Sequence, residues 1–208
     1  DLPTLGDDTI LQHCLPLSVD ENAAFCSAIS TGTLTLVSDG SYYASHKIGT
    51  ASWLFDWDAS FIITRGKVRT TGPPDEQCSY RSELMGILGG ILHTIKICQA
   101  NNIANGRVKV GCDNKGALDA IKYRYNTIDP SRKHFDLILS IWKLLSHTDI
   151  IWDFHHVKSH QDDTTNFHNL SRIAQLNVLA DADAGEYACE LMNDNTIPIS
   201  YQPVLPFQ

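Results

Sequence analysis

The sequence has few of the features that mark several large classes of protein. No apolar run approaches the roughly 20 residues that a membrane-spanning helix needs. The six cysteines include no C-x-x-C pair, and the nine histidines lack the spacing of zinc ligands. The 16 Lys and Arg residues are outnumbered by 24 Asp and Glu residues, which gives a net charge of -8. A general nucleic-acid binder would be basic, but an acidic metal site stays compatible with this charge.

What remains is an ordinary globular composition. The 208 residues suffice for one domain, with 43% hydrophobic and 19% charged residues. The cysteines are scattered, and Cys98 and Cys112 fall in helical and strand patterns where buried thiols are common. We therefore expect reduced cysteines and an intracellular protein, in the cytoplasm or nucleus, with no membrane partner. The chain starts without Met or a signal-peptide pattern, so we expect it to be part of something longer.

Periodicity along the chain predicts an α/β fold. Residues 1–31 are polar and predict a linker or connection segment with one short helix near residues 21–29, and residues 194–208 predict an irregular tail. Residues 32–193 predict the domain itself. The predicted order is β-β-β-α-β-α-α-β-α, which favours a five-stranded mixed sheet, three antiparallel strands and then parallel ones, flanked by helices. The predicted strands span 34–42, 49–57, 61–69, 107–113 and 149–157, and the predicted helices span 79–100, 115–125, part of 130–147, and 176–191.

Four acidic residues lie at or near the ends of these elements. Asp39 follows an apolar strand and precedes Gly40, where a close backbone approach is possible. Glu83 lies near the start of the first long helix, Asp113 ends the fourth strand, and Asp181 lies in the last helix. Hydrolysis of a phosphodiester requires an activated water and a stabilised leaving oxygen, which two Mg²⁺ ions can supply. Two such ions need several carboxylates to offset their charge.

These motifs give the chain its resemblance to a known family. Ser38-Asp39-Gly40-Ser41, Arg81-Ser82-Glu83-Leu84, Cys112-Asp113-Asn114 and the ending His160…Asn177-Val178-Leu179-Ala180-Asp181 resemble ribonuclease H. The likeness is strongest to the ribonuclease H domains of retroelement reverse transcriptases, and it covers residues 33–192. It implies a ribonuclease H-like fold and a metal-dependent endonuclease. By this resemblance Asp39, Glu83, Asp113 and Asp181 bind two Mg²⁺ ions, for which Mn²⁺ can substitute.

The last helix offers two acids for the fourth position. Asn177 followed four residues later by Asp181 fits the family pattern, whereas Asp183 would point to a different helix face. His160, after the last strand, matches the catalytic histidine of the family, which assists proton transfer or product release. The polar loop from Asp162 to Ser171 is an insertion relative to the common pattern. It lacks apolar periodicity, so we expect it to be mobile.

The resemblance also implies a substrate, the RNA strand of an RNA–DNA hybrid. Its 2′-OH groups are presented in a wide, shallow minor groove. The positions that would touch the hybrid are Gly40, Ser41, Ser79, Tyr80, Asn114 and Asn177. Ser79 could equally cap a helix. The basic residues between Lys122 and His134 suggest either a modest hybrid-binding face or a solvated loop.

Three functions follow from this interpretation. The leading one is a ribonuclease H that works with a linked or associated reverse transcriptase polymerase domain in a retrotransposon. The alternatives are a domesticated domain that binds or connects without cutting, and a related nuclease with a DNA substrate. Loss of a metal carboxylate would favour the non-catalytic domain, and none of the four is missing.

Overall fold

The structure is a computed structural model that describes residues 7–57, 62–122 and 129–193. These ranges contain five strands and six α-helices. The strands are β1 Leu34–Tyr43, β2 Ile48–Asp56, β3 Ile62–Arg69, β4 Asn105–Cys112 and β5 Asp149–His156. The helices are α1 Asp7–Leu11, α2 Val19–Thr31, α3 Ser79–Ala100, α4 Lys115–Lys122, α5 Phe135–Ser146 and α6 Arg172–Asn193.

The strands form one mixed sheet in the order β3-β2-β1-β4-β5. β1, β2 and β3 pair antiparallel, while β1 pairs with β4, and β4 with β5, in parallel. The predicted five-stranded mixed sheet is therefore confirmed. The parallel pairing of β1 with β4 stops at Val37 and Gly111, although β1 continues to Tyr43. The two strands therefore separate at Asp39, where an opening can form between them.

The two faces of the sheet carry different helices. On one face, Trp53 and Phe55 of β2 belong to the main apolar cluster together with α3, α4 and α5. On the other face, Thr50 and Ser52 of β2 donate hydrogen bonds of 2.7 Å to main-chain carbonyls of α6. This alternation follows the two-residue period of a strand. It places α3 and α6 on opposite sides of β1, so both helices can supply side chains to its end.

Close packing of α3 on the sheet depends on glycine. A Cβ atom at Gly89 would overlap the indole ring of Trp53, which is fully buried. The absence of that atom lets the helix axis approach the strand. The approach of α3 in turn fixes where its first turns, and Glu83 among them, meet β1.

The N-terminal segment contains a helix that packs against the domain. Residues 19–31 form α2, which begins with a capping box between Ser18 and Glu21 and ends at Gly32 in the left-handed conformation, with φ of 74°. Phe25 and Ile29 on its inner face are fully buried. The short helix predicted near residues 21–29 is thus present, and the apolar residues on one of its faces join the core.

Other boundaries shift by a few residues. Ser79 is the first residue of α3, and Cys78 takes the N-cap position without a side-chain hydrogen bond, so the predicted capping role of Ser79 is wrong. α6 starts at Arg172 rather than near Leu176. All six cysteines are free thiols, and Cys98 and Cys112 are buried as predicted. Within the described ranges no helix has both the length and the apolar character to cross a bilayer. The tail predicted at 194–208 and Arg124 of the basic span lie outside the described residues.

Candidate active site

Asp39 lies where β1 leaves β4, and it is held from two sides. The residue is 4% exposed. The main-chain N–H of Gly40 donates to its Oδ1 at 2.7 Å, and Nδ2 of Asn177 on α6 donates to its Oδ2 at 3.1 Å. Asp39 is within β1 and does not end it, in contrast to the sequence-based expectation. The parallel pairing of β1 with β4 ends just before this residue, at Val37.

Gly40 explains how β1 and the start of α3 come together. A Cβ atom at this position would overlap the main chain at Ser82 and Glu83. Glycine therefore permits the close approach that the sequence predicted. The approach brings Glu83, itself 5% exposed, beside Asp39.

The four predicted carboxylates converge on a single cavity of about 210 Å³. Asp113 reaches it from the residue after β4, and Asp181 from the exposed surface of α6. The residues that line it come from β1, α3, α6 and the segments after β4 and β5: Asp39, Gly40, Ser79, Glu83, Asp113, His160, Asp162, Asn177, Val178 and Asp181. Residues distant in sequence thus form one acidic recess at the carboxyl end of the parallel strands.

Burial and the charges of neighbouring carboxylates raise the pKa of three of these groups, Asp39, Glu83 and Asp113. Burial, followed by the charges of Asp113 and Asp181, raises the pKa of Asp39 to about 8. Burial and the same kind of repulsion, from Asp39 and Asp113, raise the pKa of Glu83 well above its usual range. Burial also raises the pKa of Asp113, and His160 acts against that rise. A carboxylate cluster of this kind has a strong electrostatic demand for a cation.

The donor set fits divalent metal ions with oxygen ligands. Asp39, Glu83, Asp113 and Asp181 offer carboxylate oxygens around one recess. The amide oxygen of Asn177 also belongs to this region, is buried, and has no hydrogen-bond partner among the described residues. Hard cations such as Mg²⁺ prefer carboxylate and carbonyl oxygens. The residues present therefore suit the metal ions implied by the family resemblance.

Asp183 is directed away from this recess. Its carboxylate pairs with Nη1 of Arg65 on β3, with both oxygens at 3.1 Å. Asp181, two residues earlier, lines the cavity. The geometry thus favours Asp181 over Asp183 as the fourth carboxylate.

His160 lies at the cavity on the segment that follows β5. It is exposed and adopts the left-handed conformation, with φ of 50°. His156 is also near, and its Nε2 lies 2.8 Å from the main-chain oxygen of Asp113. His155 and His156 are both exposed.

The insertion after His160 contains short regular turns. Two short 3-10 turns, Gln161–Asp163 and Phe167–Asn169, run through it. Leu170 is buried, and Nε2 of Gln175 donates to the main-chain oxygens of Phe167 and Leu170. Leu170 thus ties the end of this loop to the start of α6, although the loop has no apolar periodicity.

The predicted substrate contacts divide into two groups. Gly40, Ser79 and Asn177 line the cavity, whereas Ser41, Tyr80 and Asn114 are not among its lining residues. The Asn114 side chain accepts a hydrogen bond from the N–H of Ala117 at the start of α4, as N-cap residues do. The Tyr80 hydroxyl donates to the main-chain oxygen of Gly116 at 3.4 Å. A structural role thus accounts for two of these residues.

Sequence reasoning did not include two residues of the site. Asp162 lines the cavity as a fifth carboxylate. Its position two residues after His160 could have indicated from sequence that Asp162 lies near the site. Cys112 is fully buried, and its thiol lies 3.5 Å from Oε2 of Glu83. No local pattern could have revealed the contact between Cys112 and Glu83, because strand β4 and helix α3 meet only in the folded chain.

A second, larger cavity lies beside the first turns of α3 and α5. Its volume is about 650 Å³, and Arg132, Lys133 and His134 of the basic span line it. At its base Arg81, fully buried, forms a two-bond ion pair with Asp136, at 2.9 and 2.5 Å. Three basic residues, Arg132, Lys133 and His134, thus line a cavity whose base is a buried arginine.

Comparison with known proteins gives only a likeness of fold. No family model matches the sequence, and no curated protein matches it. Among solved structures, the chain is similar to the N-terminal RNase H domain of a Mycobacterium tuberculosis protein, solved as a fusion with maltose-binding protein. That match has 13% identity and a TM-score of 0.45, and covers 74% of this chain and 97% of the other. RNase H1 from the halophilic archaeon Halobacterium salinarum matches with 14% identity and a TM-score of 0.47, over 76% of this chain and 98% of the other.

Proposed function

We propose that this chain is a divalent-metal-dependent endonuclease that cleaves the RNA strand of RNA–DNA hybrids. The observation that carries the proposal is the convergence of Asp39, Glu83, Asp113 and Asp181 on one cavity that His160 also lines. All five belong to sequence motifs that resemble those of ribonuclease H. A structural role does not account for this arrangement, because grouping like charges costs stability without a cation.

The four carboxylates would hold the metal ions. When bound, two such ions activate a water and stabilise the leaving oxygen of a phosphodiester. The chain's own residues prepare the site for them. Gly40 and Asn177 donate to the two oxygens of Asp39, which fixes the plane of that carboxylate. Orientation of a ligand by its hydrogen-bond partners reduces the cost of binding.

His160 is suited to move a proton at the mouth of the site. It is exposed, and its charge opposes the rise that burial causes in the pKa of Asp113, so the two side chains interact electrostatically. An imidazole can accept or donate a proton near neutral pH. We assign it to proton transfer or to the release of the cleaved strand.

The choice of RNA is proposed from the small groups beside the carboxylates. Gly40 and Ser79 line the cavity, where Gly40 has no side chain and Ser79 carries a hydroxyl. Such groups can approach a 2′-OH in a shallow minor groove without steric conflict. We expect cleavage to require a 2′-OH at the scissile nucleotide.

The test compares three substrates under two conditions. Hybrid, duplex RNA and duplex DNA of one sequence are incubated with the purified chain in Mg²⁺ or in EDTA. We expect cleavage of the RNA strand of the hybrid alone, and only with Mg²⁺, with Mn²⁺ as a substitute. Equal cleavage of duplex DNA would favour a nuclease with a DNA substrate. Hybrid binding without any cleavage would favour the non-catalytic binding domain.

Matched variants connect the activity to the site. Asp113→Asn should abolish cleavage with the fold intact, because a neutral amide is a poorer metal ligand. Asp183→Asn is the control, since this acid pairs with Arg65 outside the cavity and its loss removes only a partly exposed ion pair. Near-normal cleavage by folded Asp113→Asn would remove this residue from the proposed site.

The resemblance of the motifs leads to one further proposal about context. We infer that the chain works inside the cell, next to a reverse transcriptase polymerase domain in a retroelement. Sequencing of the full transcript that encodes residues 1–208 tests this, because a linked polymerase would be encoded on the same message. A transcript that encodes no polymerase, together with failure of the purified chain to associate with one, would contradict it.

A further inference from the structure

The metal-binding region contains a sulfur atom next to its oxygen ligands. Cys112 is the last residue of β4 and directly precedes Asp113. Ligand atoms of Glu83, Cys112 and Asp113 all lie within 4.8 Å of one another. The thiol is fully buried, so it faces neighbouring protein groups and not solvent.

The spacing of sulfur and oxygen matches a tetrahedral metal site. Zinc binds a cysteine sulfur at about 2.3 Å and a carboxylate oxygen at about 2.1 Å, and a tetrahedral angle between them separates the two ligands by about 3.6 Å. Sγ of Cys112 lies 3.5 Å from Oε2 of Glu83. Without a metal the same separation serves a weak hydrogen bond from the thiol. A cation between the two groups could therefore be bound with little movement of either residue.

Burial and the charge of Glu83 raise the pKa of the Cys112 thiol well above its usual range, so a bound cation is needed to hold the sulfur as a thiolate. The main-chain N–H of Asn114 donates to Sγ of Cys112 at 3.3 Å. Hydrogen bonds of this kind orient a ligand and offset its negative charge once the metal is bound. The buried amide oxygen of Asn177, a residue that lines the adjoining cavity and is 4% exposed, has no hydrogen-bond partner in the part of the chain described.

We propose that Cys112, Glu83 and Asp113 form a binding site for a soft divalent cation, zinc or cadmium, that overlaps the site of the catalytic Mg²⁺ ions. The sulfur of Cys112 and one oxygen from each of Glu83 and Asp113 supply three ligands. Water from the adjoining cavity takes the fourth position. On binding, the thiol proton passes to the buffer, because only the thiolate coordinates a metal.

The sulfur separates two classes of cation. Mg²⁺ takes oxygen ligands and gains nothing from a thiol, whereas zinc and cadmium bind thiolates strongly. One soft cation therefore occupies Glu83 and Asp113 and leaves them unavailable to Mg²⁺. Inhibition of cleavage by micromolar zinc follows only if the proposed nuclease function holds, but binding of the soft cation does not depend on it.

Spectroscopy of the metal–sulfur bond tests the site directly. Cd²⁺ is titrated into the metal-free chain while the ultraviolet sulfur-to-cadmium charge-transfer band is followed. We expect a band that saturates at a single equivalent and disappears in Cys112→Ser. Cys189→Ser, at an exposed thiol, and Cys78→Ser, at a thiol beside the second cavity, are matched controls that should keep the band. Excess Mg²⁺ should raise the Cd²⁺ concentration needed for half-saturation.

A second variant keeps the test decisive if Cys112→Ser does not fold. Glu83→Gln retains the sulfur and removes one oxygen ligand. It should weaken Cd²⁺ binding by at least about tenfold, since loss of even a residue that hydrogen-bonds to a metal ligand lowers metal affinity roughly 10–100-fold. A band that is absent from the unmodified chain, that persists in folded Cys112→Ser, or that is unaffected in Glu83→Gln would overturn the inference.

Cleavage assays on the unmodified chain separate this inference from the proposed function. Mg²⁺-dependent cleavage without a cadmium band rejects the soft-metal site and leaves the nuclease proposal in place. A cadmium band without cleavage under any condition rejects the nuclease proposal and leaves the site in place.

Discussion

Asn177 on α6 donates its side-chain N–H to Oδ2 of Asp39 on β1 at 3.1 Å. The two residues are both buried and lie 138 positions apart in sequence. This bond joins the helix that carries Asp181 to the strand that carries Asp39. It therefore sets the relative position of two of the four proposed metal ligands.

The first prediction concerns this bond. Asn177→Ala should lower the cleavage rate roughly 10–100-fold and weaken Mg²⁺ binding, because Asp39 loses one of the two donors that orient it. Asn101→Ala is the control: Asn101 also takes part in a side-chain amide pair, with Asn22, but far from the cavity. Both variants are compared by single-turnover kinetics and by calorimetric Mg²⁺ titration. An equal loss in both variants would mean that Asn177 acts only through general stability.

The second prediction links Mg²⁺ binding to pH. The pKa of Asp39 is raised to about 8, first by burial and then by Asp113 and Asp181, so this group holds a proton at neutral pH without metal. Mg²⁺ needs the carboxylate, so binding must release that proton below about pH 8. The apparent affinity should therefore rise with pH, by up to about tenfold per unit, and level off above the pKa. Calorimetry in two buffers of different ionisation enthalpy measures the released proton.

Asp183→Asn should retain this proton release, since its carboxylate lies outside the recess. An Mg²⁺ affinity that stays constant from about pH 6 to 8 would contradict the prediction.

The third prediction concerns the stability of the core. Burial lowers the pKa of His93 to about 4, and its neutral Nδ1 is within 3.1 Å of Nε1 of Trp53, from which it accepts a hydrogen bond. As the pH falls, His93 binds a proton near pH 6.5 in the unfolded chain but only near pH 4 in the folded chain. The contribution of His93 to the free energy of unfolding therefore falls by up to about 3 kcal/mol between about pH 6.5 and about pH 4. Below that range this contribution stays constant.

Urea unfolding of the unmodified chain and of His93→Gln measures this loss. The glutamine can still accept from Trp53 but does not titrate, so the difference between the two curves isolates His93. Raised carboxylate pKa values have the opposite sign, because they add stability as the pH falls, and they cancel in this difference. Parallel curves for the two proteins would contradict the prediction.

The fourth prediction concerns His160 and its loop. His160→Ala should reduce steady-state turnover less than Asp113→Asn does, since the carboxylates and their metal ions remain able to activate water. Shortening of the segment between Asp162 and Ser171 should reduce steady-state turnover more than the single-turnover rate, because loop motion limits product release in many enzymes. Burst and steady-state kinetics on one hybrid give both rates. Equal reduction of both rates by loop shortening would show that the loop shapes the site itself.

Local patterns in the sequence were sufficient for the order of elements and the mixed sheet. Alternating apolar residues predicted β1 and helical spacing predicted α3, because each element must bury one face whatever else it meets. Positions at or near element ends indicated Asp39, Glu83, Asp113 and Asp181, and the family resemblance implied their role and added His160. The structure brings these five residues to one cavity.

Only the tertiary structure decided what each group meets across the fold. It packed α2 into the core, paired Asp183 with Arg65, assigned Asn114 to a helix cap, and set the thiol of Cys112 against Glu83. Burial and the summed charges of neighbours, which set the pKa of Asp39, also arise only when distant segments come together. The sequence by itself thus determined which chemical groups are available, and tertiary packing determined their distances, because contacts between distant segments leave no periodic trace in a single chain.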